Sequence, residues 1–152
     1  QSLLDHEGWW LSGDSAELIS KRDNVPPTLK IIGRIDTAIH SGGETVFPEM
    51  LETRLLEQAL ASGLPIDNLI FLPTQSEEWG QRLVVLFRWS RKNSFEQSKE
   101  SLTILKGLVK TWLPNEQPIS WHLCQELERT TSGKLEREKW KVWLDKHTNN
   151  CK

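Results

Sequence analysis

The chain has 152 residues, 37% of them hydrophobic and 26% charged, with 19 Lys plus Arg against 21 Asp plus Glu for a formal charge of −2. That length suits one domain. The slightly acidic balance argues against a dedicated nucleic-acid binder, which carries a basic excess, and no apolar run approaches the roughly 20 residues of a membrane span.

Cys124 and Cys151 are the only thiols. Their spacing makes neither a disulfide framework nor a zinc site, so both read as reduced. His122 with Cys124 alone makes no metal site. No secretory leader is visible, and a cytoplasmic location is the default expectation. Met50 is the only methionine and the chain begins Gln1-Ser2, which reads as a piece of a larger protein.

In chain order, Asp14 to Ile19 and Thr28 to Ile32 read as short strands around a polar turn, Lys21 to Asn24, closed by Pro26-Pro27. Two strands alone are marginal in water, and Trp9 and Trp10 need a surface to cover. From Ile35 the pattern becomes that of an α+β unit. Ile35 to Ile39 and Thr45 to Phe47 pair across a turn at Ser41-Gly42-Gly43. A helix starts at Pro48, with Glu49 and Glu52 in its first turn, where the helix dipole favours them. Leu51, Leu55, Ala59 and Leu60 form its buried stripe, and Gly63 ends it.

Leu69 to Pro73 and Arg82 to Trp89 read as strands, the second central because Val84 to Phe87 is apolar on both faces. Ser94 and Gln97 make a capping box for a second helix, whose core face is Leu102, Leu105, Val109 and Trp112 and whose stop is Pro114. Ile119, Trp121 and Leu123 alternate with Ser120, His122 and Cys124 as a half-buried strand. A last helix spans Leu135 to Lys146, with Trp140, Trp143 and Leu144 inward and Glu136 to Lys139 forming a solvated face of alternating charge. The expected fold is a β-hairpin and a central three-stranded sheet flanked by helices, preceded by two short strands. Eight tryptophans raise the thought of base-stacking platforms, but Trp112, Trp121, Trp140 and Trp143 fall on apolar faces, which favours packing.

Four segments stand out: Gly8-Trp9-Trp10 through Gly13-Asp14; Gly33-Arg34-Ile35-Asp36; Ser41-Gly42-Gly43-Glu44 before Phe47-Pro48; and Thr131-Ser132-Gly133-Lys134-Leu135. Taken singly they read as a capping aspartate, a surface ion pair, a glycine hairpin turn and a solvated helix start. Together, in this order, they resemble the closing portion of the acyl-adenylating enzymes, which include acyl-CoA ligases, luciferases and peptide-synthetase adenylation domains. The resemblance covers about residues 8–144.

The resemblance implies that residues 1–35 are the tail end of a large N-terminal adenylation core and residues 36–152 a C-terminal lid domain. It gives Asp14 the hydrogen bonds from both ribose hydroxyls of ATP, a task for an acceptor-only carboxylate; Ser12 stands where the family more often has Thr. Arg34 would contact the nucleotide. Asp36 would be the hinge about which the lid swings between adenylate-forming and thioester-forming poses. Gly42 and Gly43 would line the tunnel for the CoA pantetheine arm, where backbone must approach a ligand closely. Lys134 would be catalytic, bridging the attacking carboxylate and the α-phosphate as pyrophosphate leaves. Glu128 replaces the proline that usually opens this last motif, which implies a less rigid loop.

No nucleophile is required of the chain, because the acid carboxylate and then the CoA thiol attack. Mg2+ would come mainly with ATP and the missing domain. The implied partners are that N-terminal domain, a small carboxylic acid, ATP and CoA, with no nucleic acid. The chain alone is expected to be inactive. The run Ile39 to Glu49, with Glu78-Trp79-Gly80-Gln81-Arg82, most resembles the o-succinylbenzoate–CoA ligase branch, which serves menaquinone and phylloquinone synthesis. Medium-chain or aryl acyl-CoA ligases share the Ser-Gly-Gly-Glu loop, and a non-catalytic binding module that kept the fold is the other alternative.

Overall fold

A computed structural model describes residues 6–19, 25–90 and 94–149. The expected turn at Lys21 to Asn24 and Cys151 lie outside the described residues. Strands β1 (Asp14–Ile19) and β2 (Thr28–Arg34) form an antiparallel ribbon with a register shift at Ser15/Ala16. The second strand runs to Arg34, beyond the expected Ile32. Asp14 and Arg34 become direct cross-strand partners. Trp9 and Trp10 remain 72% and 65% exposed beside this ribbon.

Ile35–Thr37 forms a 3₁₀ turn rather than the start of a strand. Its polar side chains explain the difference. Asp36 is bonded by Arg34, and the Thr37 hydroxyl donates to Glu49, so local side-chain bonds compete with a sheet ladder. The hairpin begins later, with β3 (Ile39–Ser41) and β4 (Glu44–Val46). Gly42 and Gly43 both have positive φ, 60° and 85°, as a two-residue type I′ turn requires.

Strands β5 (Ile66–Ser76) and β6 (Gly80–Trp89) form the longest antiparallel pair. β7 (Pro118–Leu123) lies parallel along Leu83 to Phe87 of β6, and β3 meets the start of β6 through Ser41 and Gly80. The hairpin and the three central strands are therefore one mixed five-stranded sheet. Both faces of β5 and β6 are covered, which is why they read as unbroken apolar runs. Leu69, Phe71, Val85 and Phe87 pack with helix α1 (Pro48–Ala61) and helix α2 (Phe95–Leu108) through Leu51, Leu55 and Leu105. Ile70, Leu72, Val84 and Leu86 pack against Trp140 and Leu144 of helix α3 (Arg137–Asn149) with Cys124 and Leu127.

Three expectations need correction. Leu60 is 55% exposed, because Leu51, Leu55 and Ala59 occupy the i, i+4, i+8 line that meets the sheet. Ile119 and Leu123 are also exposed: β7 is an edge strand, and of its apolar side chains on that face only the long Trp121 ring reaches the core, edge-on to Phe87 at 6.5 Å. Finally, α3 starts at Arg137, two residues past the expected Leu135, and Arg137 is not on a solvated face.

The Ser94–Gln97 capping box is present, with both reciprocal bonds made at 3.2 and 3.0 Å. Ser94→Ala is expected to lower stability by about 1 kcal/mol in urea titration, by orphaning the Gln97 N–H.

Candidate functional site

The 3₁₀ turn and the start of α1 face the segment that leads into α3 across a cleft of about 890 Å³. Arg34, Asp36 and Glu49 line one side, and Gly133, Lys134 and Arg137 the other. The fold thus brings three of the sequence-derived candidates together: Arg34, Asp36 and Lys134. Asp14 joins them through Arg34, whose Nη1 lies 3.8 Å from Asp14 Oδ1. A backbone bond from the Ile35 N–H to the Gly13 carbonyl, 2.8 Å, ties the first motif to the second. Gly42 and Gly43 are not part of this cleft lining. Their turn sits against Trp79: the Gly42 N–H donates to the Trp79 carbonyl at 3.0 Å, and a Cβ on Gly42 would meet the Trp79 ring at 2.7 Å.

Arg34 grips Asp36 with two bonds, Nε to Oδ1 at 2.8 Å and Nη2 to Oδ2 at 3.1 Å. Those hydrogen bonds hold the Asp36 carboxyl below its usual range; burial opposes them, and the Arg34 charge adds a lesser pull downward. The same bonds raise Arg34 further.

Lys134 sits in a small backbone cage. Its N–H donates to Thr130 Oγ1 at 3.1 Å, its carbonyl accepts the Thr130 N–H at 2.8 Å, and the Gly133 N–H donates to the Thr130 carbonyl at 2.8 Å. The residue is exposed at the cleft, and its ammonium has no partner among the described residues. Among the described residues Glu128, where the resembled motif has proline, makes only an exposed contact with Lys139 at 3.4 Å. The loop is braced instead by Arg129. Its Nε donates to Oδ1 of the buried Asn68 at 3.1 Å, and its Nη1 to the Gly133 carbonyl at 3.0 Å.

Sequence reasoning missed Glu52 and Arg137. Arg137 donates from Nη1 and Nη2 to the two Glu52 oxygens, both at 2.8 Å, and from Nη1 to the Phe71 carbonyl at 3.0 Å. Burial pushes the Glu52 carboxyl up, while Arg137 and the Phe71 N–H pull it back. Burial is the largest single influence on Arg137 and pulls it down, but the Glu52 bonds together with the Glu52 and Glu49 charges outweigh it, and Arg137 is raised. A signal was there: Glu52 is three and seven residues before Leu55 and Ala59, and Arg137 three and seven before Trp140 and Leu144. A charge on an inward stripe needs a partner. Among the described residues no group of three or more His, Cys, Asp or Glu converges as metal ligands would.

The chain is 24% identical over 145 residues to the 2-succinylbenzoate–CoA ligase of Escherichia coli (strain K12), spanning 95% of this chain and 28% of that protein. It is 26% identical over 137 residues to the medium-chain acyl-CoA ligase Mig of Mycobacterium avium, spanning 88% and 22%. A solved structure of Escherichia coli MenE with bound OSB-AMS matches 94% of this chain and 27% of that one, with TM-score 0.62 and 26% identity. Its homologues are AMP-forming acid–CoA ligases. The fold is that of their C-terminal domain. No family model matches the chain. The chain spans under a third of the length of these curated relatives. No helix among the described residues is long and apolar enough to cross a membrane.

The Arg34–Asp36 pair has a defined pH signature. A carboxyl held low when folded stabilises above its unfolded range, and that contribution is lost as pH falls through the lowered value. An NMR titration of the Asp36 carboxyl is expected to show a midpoint below that of an ordinary aspartate, and Arg34→Gln to move it upward toward the ordinary range.

Proposed function

We propose that this chain is the closing part of an ATP-dependent acid–CoA ligase and that the Arg34–Lys134 cleft handles the nucleotide and the acid. The observation that carries the reading is the shared cleft itself: Arg34 and Lys134, far apart in sequence, face one cavity with Asp36 at its wall. The acid–CoA ligase homologues support the reaction class.

In this reading Asp14 accepts hydrogen bonds from the ribose hydroxyls, and Arg34, already beside Asp14, contacts the nucleotide. Lys134 contributes an unpaired ammonium between the acid carboxylate and the α-phosphate as pyrophosphate leaves. One such preorganised charge is typically worth about 100- to 1000-fold in rate. Residues 1–35 act as the end of a large N-terminal domain and 36–152 as the lid, with Asp36 the hinge. The exposed apolar surface of the ribbon, including Trp9, Trp10, Leu29 and Ile31, suits that domain as the partner. By itself the chain would be inactive, since the acid pocket and the phosphate loop belong to the large domain. Mg2+ would serve by neutralising phosphate charge, and ATP rather than this chain would bring it. In the thioester-forming pose Gly42 and Gly43 line the pantetheine tunnel, and the CoA thiol displaces AMP.

The favoured acid is o-succinylbenzoate, which would place the enzyme in menaquinone or phylloquinone synthesis. The Mycobacterium avium relative supports a medium-chain or other acyl acid as the second reading. Thioester formation by the full-length protein with MgATP, CoA and a panel of acids separates the two. No turnover on any acid from folded protein would favour a binding module instead.

Two substitutions test the division of labour. Lys134→Ala is expected to lower acid-dependent pyrophosphate exchange about 100-fold or more while sparing thioester formation from supplied acyl-adenylate. Gly42→Ala, which drives a methyl into the Trp79 ring, is expected to show the reverse selectivity. Equal loss in both half-reactions for either variant would sink its assignment.

A further inference from the structure

The loop that carries Lys134 is fastened at both ends to one strand. At its start, Arg129 bonds Asn68 of β5. At its end, Arg137 forks onto Glu52 and also bonds the Phe71 carbonyl of β5, while Glu52 Oε1 accepts the Phe71 N–H at 2.9 Å. The Arg137 and Glu52 side chains are only 15% and 12% exposed. Arg137 Nη2 also lies 3.5 Å from Glu49 Oε1, and that oxygen accepts the Thr37 hydroxyl from the turn that contains Asp36. One guanidinium therefore joins α3, α1, β5 and the segment just after Arg34. Lys134 makes none of these contacts; its aim depends on the backbone that Arg129 and Arg137 hold.

We propose that Arg137, oriented by Glu52, is a positioning residue that sets where the Lys134 ammonium enters the cleft. This rests on the reading of Lys134 given above. The geometry demands an arginine, because a lysine ammonium is a point charge and cannot fork across both Glu52 oxygens while reaching the Phe71 carbonyl.

The test is a double-mutant cycle in the full-length protein. Pyrophosphate exchange and thioester formation from supplied acyl-adenylate are measured for the wild type, Arg137→Lys, Lys134→Ala and the double variant. Arg137→Lys is expected to lower exchange by about 10- to 100-fold, as an ångström-scale misplacement does, and to leave thioester formation within about 2-fold. In the Lys134→Ala background it is expected to cost nothing further in exchange, because it acts only through that ammonium. Equal loss in both half-reactions, or a full additional loss in the Lys134→Ala background, would overturn the proposal as ordinary destabilisation. Glu52→Gln is scored by the same criteria and decides the matter if Arg137→Lys does not fold. The outcomes also separate from the underlying reading. If Lys134→Ala alone spares exchange, the role of Lys134 fails and the proposal with it. A selective Lys134→Ala defect with additive Arg137→Lys losses overturns the positioning role alone.

Discussion

The cleft depends on one part-buried ion pair. Glu52 of α1 and Arg137 of α3 are far apart in sequence and meet beside Phe71 of the central sheet. Taking two charges out of water is costly, and their attraction offsets that cost only when geometry is good and remaining bonding capacity is filled. Here the geometry is good and much of the remaining bonding capacity is used. The fork is bidentate, and the Phe71 backbone supplies one further donor to Glu52 and one further acceptor to Arg137. The pair can form only when α1, β5 and α3 are all docked. It therefore marks the docked arrangement of those elements and fixes the start of α3, three residues after Lys134.

The sheet makes that docking necessary. β5 and β6 present large apolar side chains to both faces, so neither face can be left in water. α1 and α2 cover one face and α3 the other. The helices on opposite faces then reach each other only around the end of the sheet, and the Glu52–Arg137 bridge spans that gap. The cleft sits at the same edge, where the sheet no longer separates the two helical layers. Glu49 extends the bridge to Thr37, so the turn that holds Asp36 is in contact with the same network.

The departure from the motif that the Lys134 loop resembles has a physical counterpart in the structure. Glu128 removes the ring that would stiffen the loop before Lys134. Arg129 compensates, since it holds Asn68 on one side and the Gly133 carbonyl on the other. The turn at Gly42 and Gly43 is set by its own left-handed geometry and by Trp79, without help from the cleft. The Gly42-Gly43 turn and the Arg34–Lys134 cleft therefore occupy separate parts of the fold.

Local chemistry was legible in the sequence. The capping box at Ser94, the Pro48 helix start, the Gly42-Gly43 turn and the two-sided burial of β6 follow from interactions between near neighbours, which the order of residues alone determines. The resemblance of four short motifs marked Asp14, Arg34, Asp36 and Lys134, and the fold then placed Arg34, Asp36 and Lys134 at one cleft, with Asp14 paired to Arg34. What only the tertiary structure decided was the pairing of distant groups. Glu52 read as a dipole-friendly residue in a first helical turn and Arg137 as part of a solvated charge ladder. Ile119 and Leu123 read as core. Periodicity shows which residues share a face, but not whether another element covers that face. Coverage, and with it the partner of each buried charge, arises from packing between segments that the chain brings together only when folded.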